Sequence, residues 1–256
     1  MIKIIQITDI HMLSNEETDI YGINPYSLLN KLIESIKLIE DVDCIIITGD
    51  IANRGEYDAY IIVNKLFREL SCPIYWLQGN HDLSEVMLQV SNKVTIQSDK
   101  SFIIKNTKFI LLQSVMRDEG DLSSNKARGY LFDYEMSFLK RELEENNFNS
   151  CVVALHHPPV LSNSWADRRI LDNRLEFIAL LEQFPKVKLV LYGHQHIAQR
   201  TIVNGINYIS SPPTSFHYDP NGERFSILGN RHGFGIIIID NEGHVKVENV
   251  YPCSEK

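Results

Sequence analysis

No apolar run in this chain approaches the ~20 residues that a membrane-spanning helix needs, which argues against a helical membrane protein. Cysteine is scarce. The four thiols, Cys44, Cys72, Cys151 and Cys253, form no CxxC pair, which argues against a zinc ribbon or a thiol redox motif. Cys44 and Cys151 lie inside apolar strand-like runs and read as buried core thiols of a reduced, cytosolic protein. Positive charge is also short: 25 Lys and Arg stand against 33 Asp and Glu, a net charge of -8 with a pI near 5.6. That balance disfavours salt-driven binding to duplex nucleic acid or to an anionic membrane. An anionic small substrate is still compatible with it, because bound metal ions can be the largest local charges in a site. There is no repeat, low-complexity tract or Pro- and Ser-rich linker.

What is present suits one folded unit. Apolar residues make up 44% of the 256 positions and charged residues 23%, enough core to exclude wholesale disorder. A single domain over residues 1–256 is expected, since α/β folds often reach this length. The opening stretch Met1–Ile7 is too short for a signal peptide and runs straight into Asp9, so a soluble cytoplasmic protein is expected.

Strand-like runs recur at Ile2–Thr8, Cys44–Thr48, Ile74–Leu77, Phe109–Ser114, Cys151–Leu155 and Leu189–Tyr192. They are apolar almost throughout, as strands covered on both faces are. Helical periodicity fills Tyr26–Ile39, Tyr57–Leu70, Tyr134–Asn146 and Leu175–Phe184, with Asp133 placed to cap the third. The later part reads as strands Arg200–Val203, Ile206–Ser210, Gly233–Ile239 and His244–Val250, joined by turns at Asn204-Gly205 and Asn241-Glu242-Gly243. Met116–Arg128 and Pro212–Leu228 read as exposed loops. The expected architecture is an α/β layered fold with added antiparallel strands.

Seven side chains of metal-ligand type fall in five clusters, each just after an apolar run: Asp9 with His11, Asp50, Asn80, His156, and His194 with His196. Three carboxylate or amide oxygens and four imidazoles suit two transition-metal ions side by side. In an extended segment, positions i and i+2 point the same way. Asp9 and His11 can then reach one ion, and His194 and His196 can face two neighbouring ions. Gly49 permits a sharp exit from its strand, and the two oxygens of Asp50 can bridge. Asn80 offers a neutral carbonyl oxygen. His81 is a candidate to protonate a leaving group or to hold a phosphate, and Asp82 to orient an imidazole from behind. His156 ends its strand directly, while His157 has either a structural or rim role or a contact with substrate. Any one cluster alone is an ordinary strand-end turn. Their common placement, where α/β sheets build ligand sites, is the argument for one joint site. His217, His232 and His244 default to packing, with His217 closest to a rim loop. Trp165 either caps the site and stacks on a base or is a packed loop aromatic.

The order Asp9-x-His11, Gly49-Asp50, Gly79-Asn80-His81-Asp82, His156 and Gly193-His194-Gln195-His196 resembles the calcineurin-like metallophosphoesterase superfamily, over Met1 to about Val250. The stretches Gly49 to Glu56, His156-His157-Pro158-Pro159 and Ser210 to Thr214 are similar to bacterial class III cyclic nucleotide phosphodiesterases, as is Gly233-Phe234 before the last strand pair. The resemblance implies an α/β (α+β) four-layer fold, a two-sheet β-sandwich flanked by helices. It implies that Asp9, His11, Asp50 and His196 hold one metal. Asp50, Asn80, His156 and His194 would hold the other, with Asp50 bridging. The implied cofactors are two divalent or trivalent ions drawn from iron, manganese and zinc. His81 matches the family's catalytic histidine, and Asn80, His81 and His196 are the implied substrate contacts. A homodimer is an expectation of the resemblance alone. The loop from Asn163 to Arg174 and the segment Phe216-His217-Tyr218 are not fixed motifs, so the pattern speaks to the metals more than to the substrate.

The activity implied is hydrolysis of a small-molecule phosphodiester, a 3′,5′-cyclic nucleotide and first of all cyclic AMP. Two ions would share a hydroxide that attacks phosphorus, with His81 protonating the departing 3′ oxygen. The alternative within the same chemistry is a broad-specificity phosphodiesterase or phosphomonoesterase. A non-catalytic, metal-bound scaffold would tolerate loss of ligands or of His81, and every one of those positions is filled. A nuclease is disfavoured by the acidic charge.

Overall fold

Alternate residues of each strand enter different cores, which is why the strands are apolar on both faces. In the computed structural model, residues 1–116, 127–222, 226–228 and 231–252 are described. The chain runs β1 (Ile2–Ile7), α1 (Pro25–Ile36), β2 (Cys44–Ile47), α2 (Tyr57–Phe67), β3 (Ile74–Trp76), α3 (Ser84–Val90), β4 (Ser101–Ile104) and β5 (Thr107–Leu111). It continues with α4 (Asp133–Glu144), β6 (Ser150–Ala154), a 3₁₀ turn at Trp165–Arg168, α5 (Arg174–Leu181), β7 (Val187–Tyr192), β8 (Gln199–Val203) and β9 (Ile206–Ser210). Four further strands follow: β10 (His217–Tyr218), β11 (Ile227–Leu228), β12 (Phe234–Ile239) and β13 (Val245–Val250).

One sheet has the order β13-β12-β1-β2-β3 and the other β4-β5-β6-β7-β9-β8. Strands β1 to β3, and β5, β6, β7 and β9, pair in parallel; antiparallel strands close both edges of the second sheet and the β13 edge of the first, whose other edge is the parallel strand β3. Ile4, Ile46, Val152, Ala154, Leu189 and Leu191 fill the space between the sheets. The alternate residues Ile5, Ile7, Ile45 and Ile47 pack under α1 and α2. Cys151, Val153, Val190 and Tyr192 pack under α4 and α5. The result is the expected helix–sheet–sheet–helix layering. No described helix is long and apolar enough to cross a membrane.

Several local expectations differ from what forms. Asp133 is the first residue of α4, and Phe132 stands at its cap without a side-chain bond. By contrast, α1 is capped by Asn24, whose Oδ1 accepts from the Ser27 nitrogen at 2.7 Å, with Pro25 in the first turn. Strand β4, which forms a hairpin with the expected strand β5, and helix α3 are additions that periodicity did not indicate. The β4–β5 turn uses left-handed Lys105 and Asn106, with no glycine to signal it. The segment Pro212–Leu228 is not an exposed loop at its start: Pro212 to His217 are buried, and Thr214 donates its N–H to the Thr8 carbonyl at 2.9 Å. Most of the loop expected at Met116–Arg128 lies outside the described residues.

Gln6 couples the two sheets just below the strand ends. Its side chain is fully buried in the intersheet space, where Ile4 and Ile2 would suggest another aliphatic. Its amide donates to the Tyr192 carbonyl of β7 at 2.8 Å and to Thr48 Oγ1 at 3.1 Å, and its carbonyl accepts from Ser211 Oγ at 2.8 Å. Gln6→Leu strands those partners in a dry interior, so chemical denaturation should read a loss of about 1–3 kcal/mol. An unchanged unfolding midpoint would show that the three bonds contribute nothing.

Candidate metal centre

Left-handed backbone, not extended periodicity, aims the ligand candidates. Asp9 (φ 53°), His11 (φ 49°), Asp50 (φ 52°), His194 (φ 72°) and His196 (φ 51°) all leave their strands in the αL region. Non-glycine residues rarely adopt it, and their clustering marks a functional site. The i, i+2 expectation is therefore corrected in its cause: β1 ends at Ile7 and β7 at Tyr192, before either pair begins. The loops are held by continued ladder bonds, with the His11 N–H donating to the Asp50 carbonyl at 2.9 Å and the Gly193 N–H to the His156 carbonyl at 3.0 Å.

All seven candidates meet in one pocket. Donor atoms of Asp9, His11, Asp50 and His196 lie within 4.8 Å of one another, as do those of Asp50, His156 and His194. Asn80 joins the second group, its Oδ1 3.1 Å from His156 Nε2. Asp50 Oδ2 lies 3.5 Å from His11 Nε2 and 3.4 Å from His156 Nε2, so one oxygen faces both halves.

The outer nitrogen of each imidazole is occupied. His156 Nδ1 donates to the Thr48 carbonyl at 2.8 Å, His194 Nε2 to the Ala127 carbonyl at 2.8 Å and His196 Nδ1 to the Phe216 carbonyl at 2.6 Å. Carbonyls only accept, so each of these nitrogens carries the proton. His11 Nδ1 is 3.2 Å from Asn53 Oδ1 and is held the same way. His11, His194 and His196 consequently turn a lone pair inward, as His156 does once its second proton is lost, and His11 Nε2 and His196 Nε2 face each other at 3.1 Å. Lone pairs that close repel unless a cation stands among them, and outer acceptors of this kind are how proteins orient metal-binding histidines. The donor set fits two cations.

Electrostatics set His156 apart from the other three. Burial pushes His11, His194 and His196 below the ordinary imidazole range, with neighbouring histidines adding to the drop, the direction that favours the neutral form. Burial also opposes a charge on His156, but the Asp50 and Asp9 carboxylates carry it up to about 9. Burial raises Asp50 in turn, yet His156 and His81 hold it well below the carboxylate range. The pocket draws positive charge to the point between Asp50 and His156.

His81 stands at the edge of the pocket. Its N–H donates to Asp50 Oδ1 at 2.8 Å, its Nδ1 to the Asn53 carbonyl at 2.8 Å, and its ring meets His11 edge-on at 4.6 Å. Asp82 is corrected: its carboxylate orients backbone, not an imidazole. It accepts from the N–H groups of Ile51, Ala52 and Gly79 at 3.1, 2.9 and 2.9 Å and from the Tyr60 hydroxyl at 3.1 Å, clamping the Asp50 loop to the Asn80 loop. Burial and nearby Asp50 push it up to about 6. His157 packs beneath the site, its Nδ1 2.9 Å from Ser114 Oγ, and reaches no rim. His217 is buried, and Trp165 is tied by its indole N–H to the Asp219 carbonyl at 3.0 Å. Sequence reading missed Asn53, Tyr60 and the four backbone carbonyls. Only Asn53, three residues after Asp50, carried a sequence signal.

Comparison with known proteins adds the following. The model of the calcineurin-like phosphoesterase family matches residues 2–198. A 3′,5′-cyclic-nucleotide phosphodiesterase of Nostoc sp. is 33% identical over 255 residues, 97% of this chain and 92% of that protein. The 3′,5′-cyclic adenosine monophosphate phosphodiesterase CpdA of Escherichia coli K12 is 26% identical, over 96% of this chain and 88% of that protein. Among solved structures, a dimetal phosphatase from Danio rerio superposes with a TM-score of 0.68 at 14% identity, covering 98% of this chain and 96% of the other. That likeness is one of fold.

Glycine at 79 is demanded by space. An added Cβ would sit 2.2 Å from both the nitrogen and Oδ1 of Asp50. Gly79→Ala must displace the carboxylate shared by both ion positions. Elemental analysis of the purified variant should therefore find at most half the metal content of the parent. Full metal occupancy would rule this geometry out.

Proposed function

The chain belongs to the calcineurin-like phosphoesterase family, and on that premise we propose that it is a hydrolase of 3′,5′-cyclic nucleotides, cyclic AMP foremost, yielding the 5′-nucleotide. The observation that carries the reading is the convergence of seven donors on two positions shared at Asp50, with His81 at their edge. The relatives named as cyclic nucleotide phosphodiesterases, matched over nearly the whole chain, support the choice of substrate. Residues 1–256 act as one catalytic domain in this reading.

Asp9, His11, Asp50 and His196 would hold one ion, and Asp50, Asn80, His156 and His194 the other. Mixed imidazole, carboxylate and amide donors suit iron, manganese or zinc. When bound, such a pair supplies Lewis acidity at the phosphoryl oxygens and lowers the pKa of water. The chain's own residues do the rest. Asn80, His81 and His196 line the position where a phosphate meets the pocket. His81 has its Nδ1 proton committed to the Asn53 carbonyl, so Nε2 is the atom that can hold a proton for the substrate. Water adds to phosphorus and the bond to the 3′ oxygen breaks; that oxygen takes a proton from His81 Nε2, and the proton that the water loses makes good the one His81 gave. The hydrogen bond from the His81 backbone to Asp50 Oδ1 fixes the histidine relative to the metal pocket. A phosphodiester with two small arms fits the reading better than duplex nucleic acid, given the net charge of -8.

The test is turnover by manganese-loaded protein of cyclic AMP, bis-p-nitrophenyl phosphate and p-nitrophenyl phosphate. The expected outcome is kcat/KM highest for cyclic AMP with 5′-AMP as product. Turnover of the generic esters alone would leave a broader phosphoesterase and discard the cyclic nucleotide. His81→Ala should retain both metals and lose about 10²–10⁴-fold in kcat. Asp50→Ala should lose metal and activity together, and near-normal turnover in that variant would sink the two-metal account.

A further inference from the structure

An aromatic ridge borders the metal pocket and ends in an exposed ring. His196 stacks on Phe216 with ring centroids 4.5 Å apart and on Tyr218 at 4.4 Å. Phe216 and Tyr218 are themselves 5.7 Å apart, too close to lie on opposite faces of His196, so both wall one side of it. Phe216 also lies 4.9 Å from the His11 ring. Tyr21 meets Phe216 edge-on at 5.2 Å, and Trp165 meets Tyr218 at 5.5 Å. Phe216 is buried, whereas Tyr21 is 62% exposed.

Tyr21 occupies a backbone position that does not favour it. Ile20 and Ile23 exchange both N–H···O bonds, at 2.8 and 3.0 Å, around the two-residue turn Tyr21-Gly22. Both turn residues are left-handed, at φ 55° and 74°. This is the φ pattern of a type I′ turn, whose first central position favours Asn, Asp or Gly. A bulky side chain there carries a steric cost that those residues avoid. The turn thus presents an aromatic ring, at a cost, one ring away from two metal-ligand candidates. Two ring contacts, with centroids 5.2 and 4.5 Å apart, separate Tyr21 from His196.

We propose that the exposed face of Tyr21 is the stacking surface for the base of the cyclic nucleotide, making Tyr21 a specificity-determining residue. The inference rests on the cyclic nucleotide reading above. On this proposal a phosphate held at the metal pocket has its base over the ridge, and an aromatic face accepts any base through its π surface. Metal contacts alone would treat all phosphodiesters alike, and the ridge is where one carrying a base gains affinity.

The variants are Tyr21→Asn, which the turn itself favours, and Tyr21→Phe, which keeps the ring. The readouts are kcat and KM for cyclic AMP and for the base-free cyclic ribose 3′,5′-phosphate. Alongside them, calorimetry on the manganese-loaded protein gives Kd for 5′-AMP and for ribose 5-phosphate. Tyr21→Asn is expected to raise KM for cyclic AMP and Kd for 5′-AMP by about 5- to 50-fold. That loss should exceed the loss on the base-free pair at least fivefold, with kcat moving little, and Tyr21→Phe should restore it. Equal losses on both pairs, or none, would overturn the role of Tyr21 while leaving the activity intact. Wild-type protein that turns over the base-free ester but not cyclic AMP would overturn the cyclic nucleotide reading and this inference with it.

Discussion

Asp50 is the point on which the rest depends. One buried carboxylate faces two groups of imidazole lone pairs, and its Oδ2 lies within 3.5 Å of a nitrogen from each. Its other oxygen is already engaged by the His81 backbone. Among the described residues, Asp50 is the one member common to both donor groups. Asp50 therefore has to be placed from every side: Gly79 leaves it room, Asp82 holds the backbone of Ile51 and Gly79 around it, and the Asp50 carbonyl ties it to the His11 loop. A carboxylate buried this deeply is costly unless a cation meets it. Burial of the site and its appetite for metal are the same fact.

That placement draws on both sheets. Asp9, His11, Asp50 and Asn80 come from strand ends of one sheet, and His156, His194 and His196 from the other. The two halves meet only because the sheets pack face to face with parallel central strands ending on the same side. Gln6 fastens that meeting point with bonds to β7 and to Ser211, directly below Asp9. Five ligand candidates in the αL region store strain at the strand ends. The cores above and below over-determine the loops, so the strain persists instead of relaxing.

The imidazoles show how a rigid frame becomes a chemical one. Each gives its outer proton to a fixed oxygen, three of them backbone carbonyls. The tautomer, and so the direction of the lone pair, is decided by main chain that carries no side-chain identity. His81 differs in being exposed at the edge of the pocket. The aromatic ridge extends the same economy outward: Phe216 supplies its carbonyl to His196 and its ring to the wall beside it.

Residue order alone determined a good deal here. Ile- and Val-rich runs must be covered on both faces, so the layered α/β fold followed from composition and alternation. A ligand-type residue just past each run placed all seven donors, because parallel strand ends gather at one edge. Spacing also suggested, wrongly, that extended geometry paired Asp9 with His11, since φ is not written in residue identity at Asp or His. Only the tertiary structure decided which nitrogen of each histidine faces inward, that Asp82 clamps loops, that His157 packs beneath the site and that Tyr21 joins the rim. Each of these turns on a backbone carbonyl, a left-handed turn or a contact between residues distant in the chain. Such features arise when two sheets close on each other, and no local pattern of side chains encodes them.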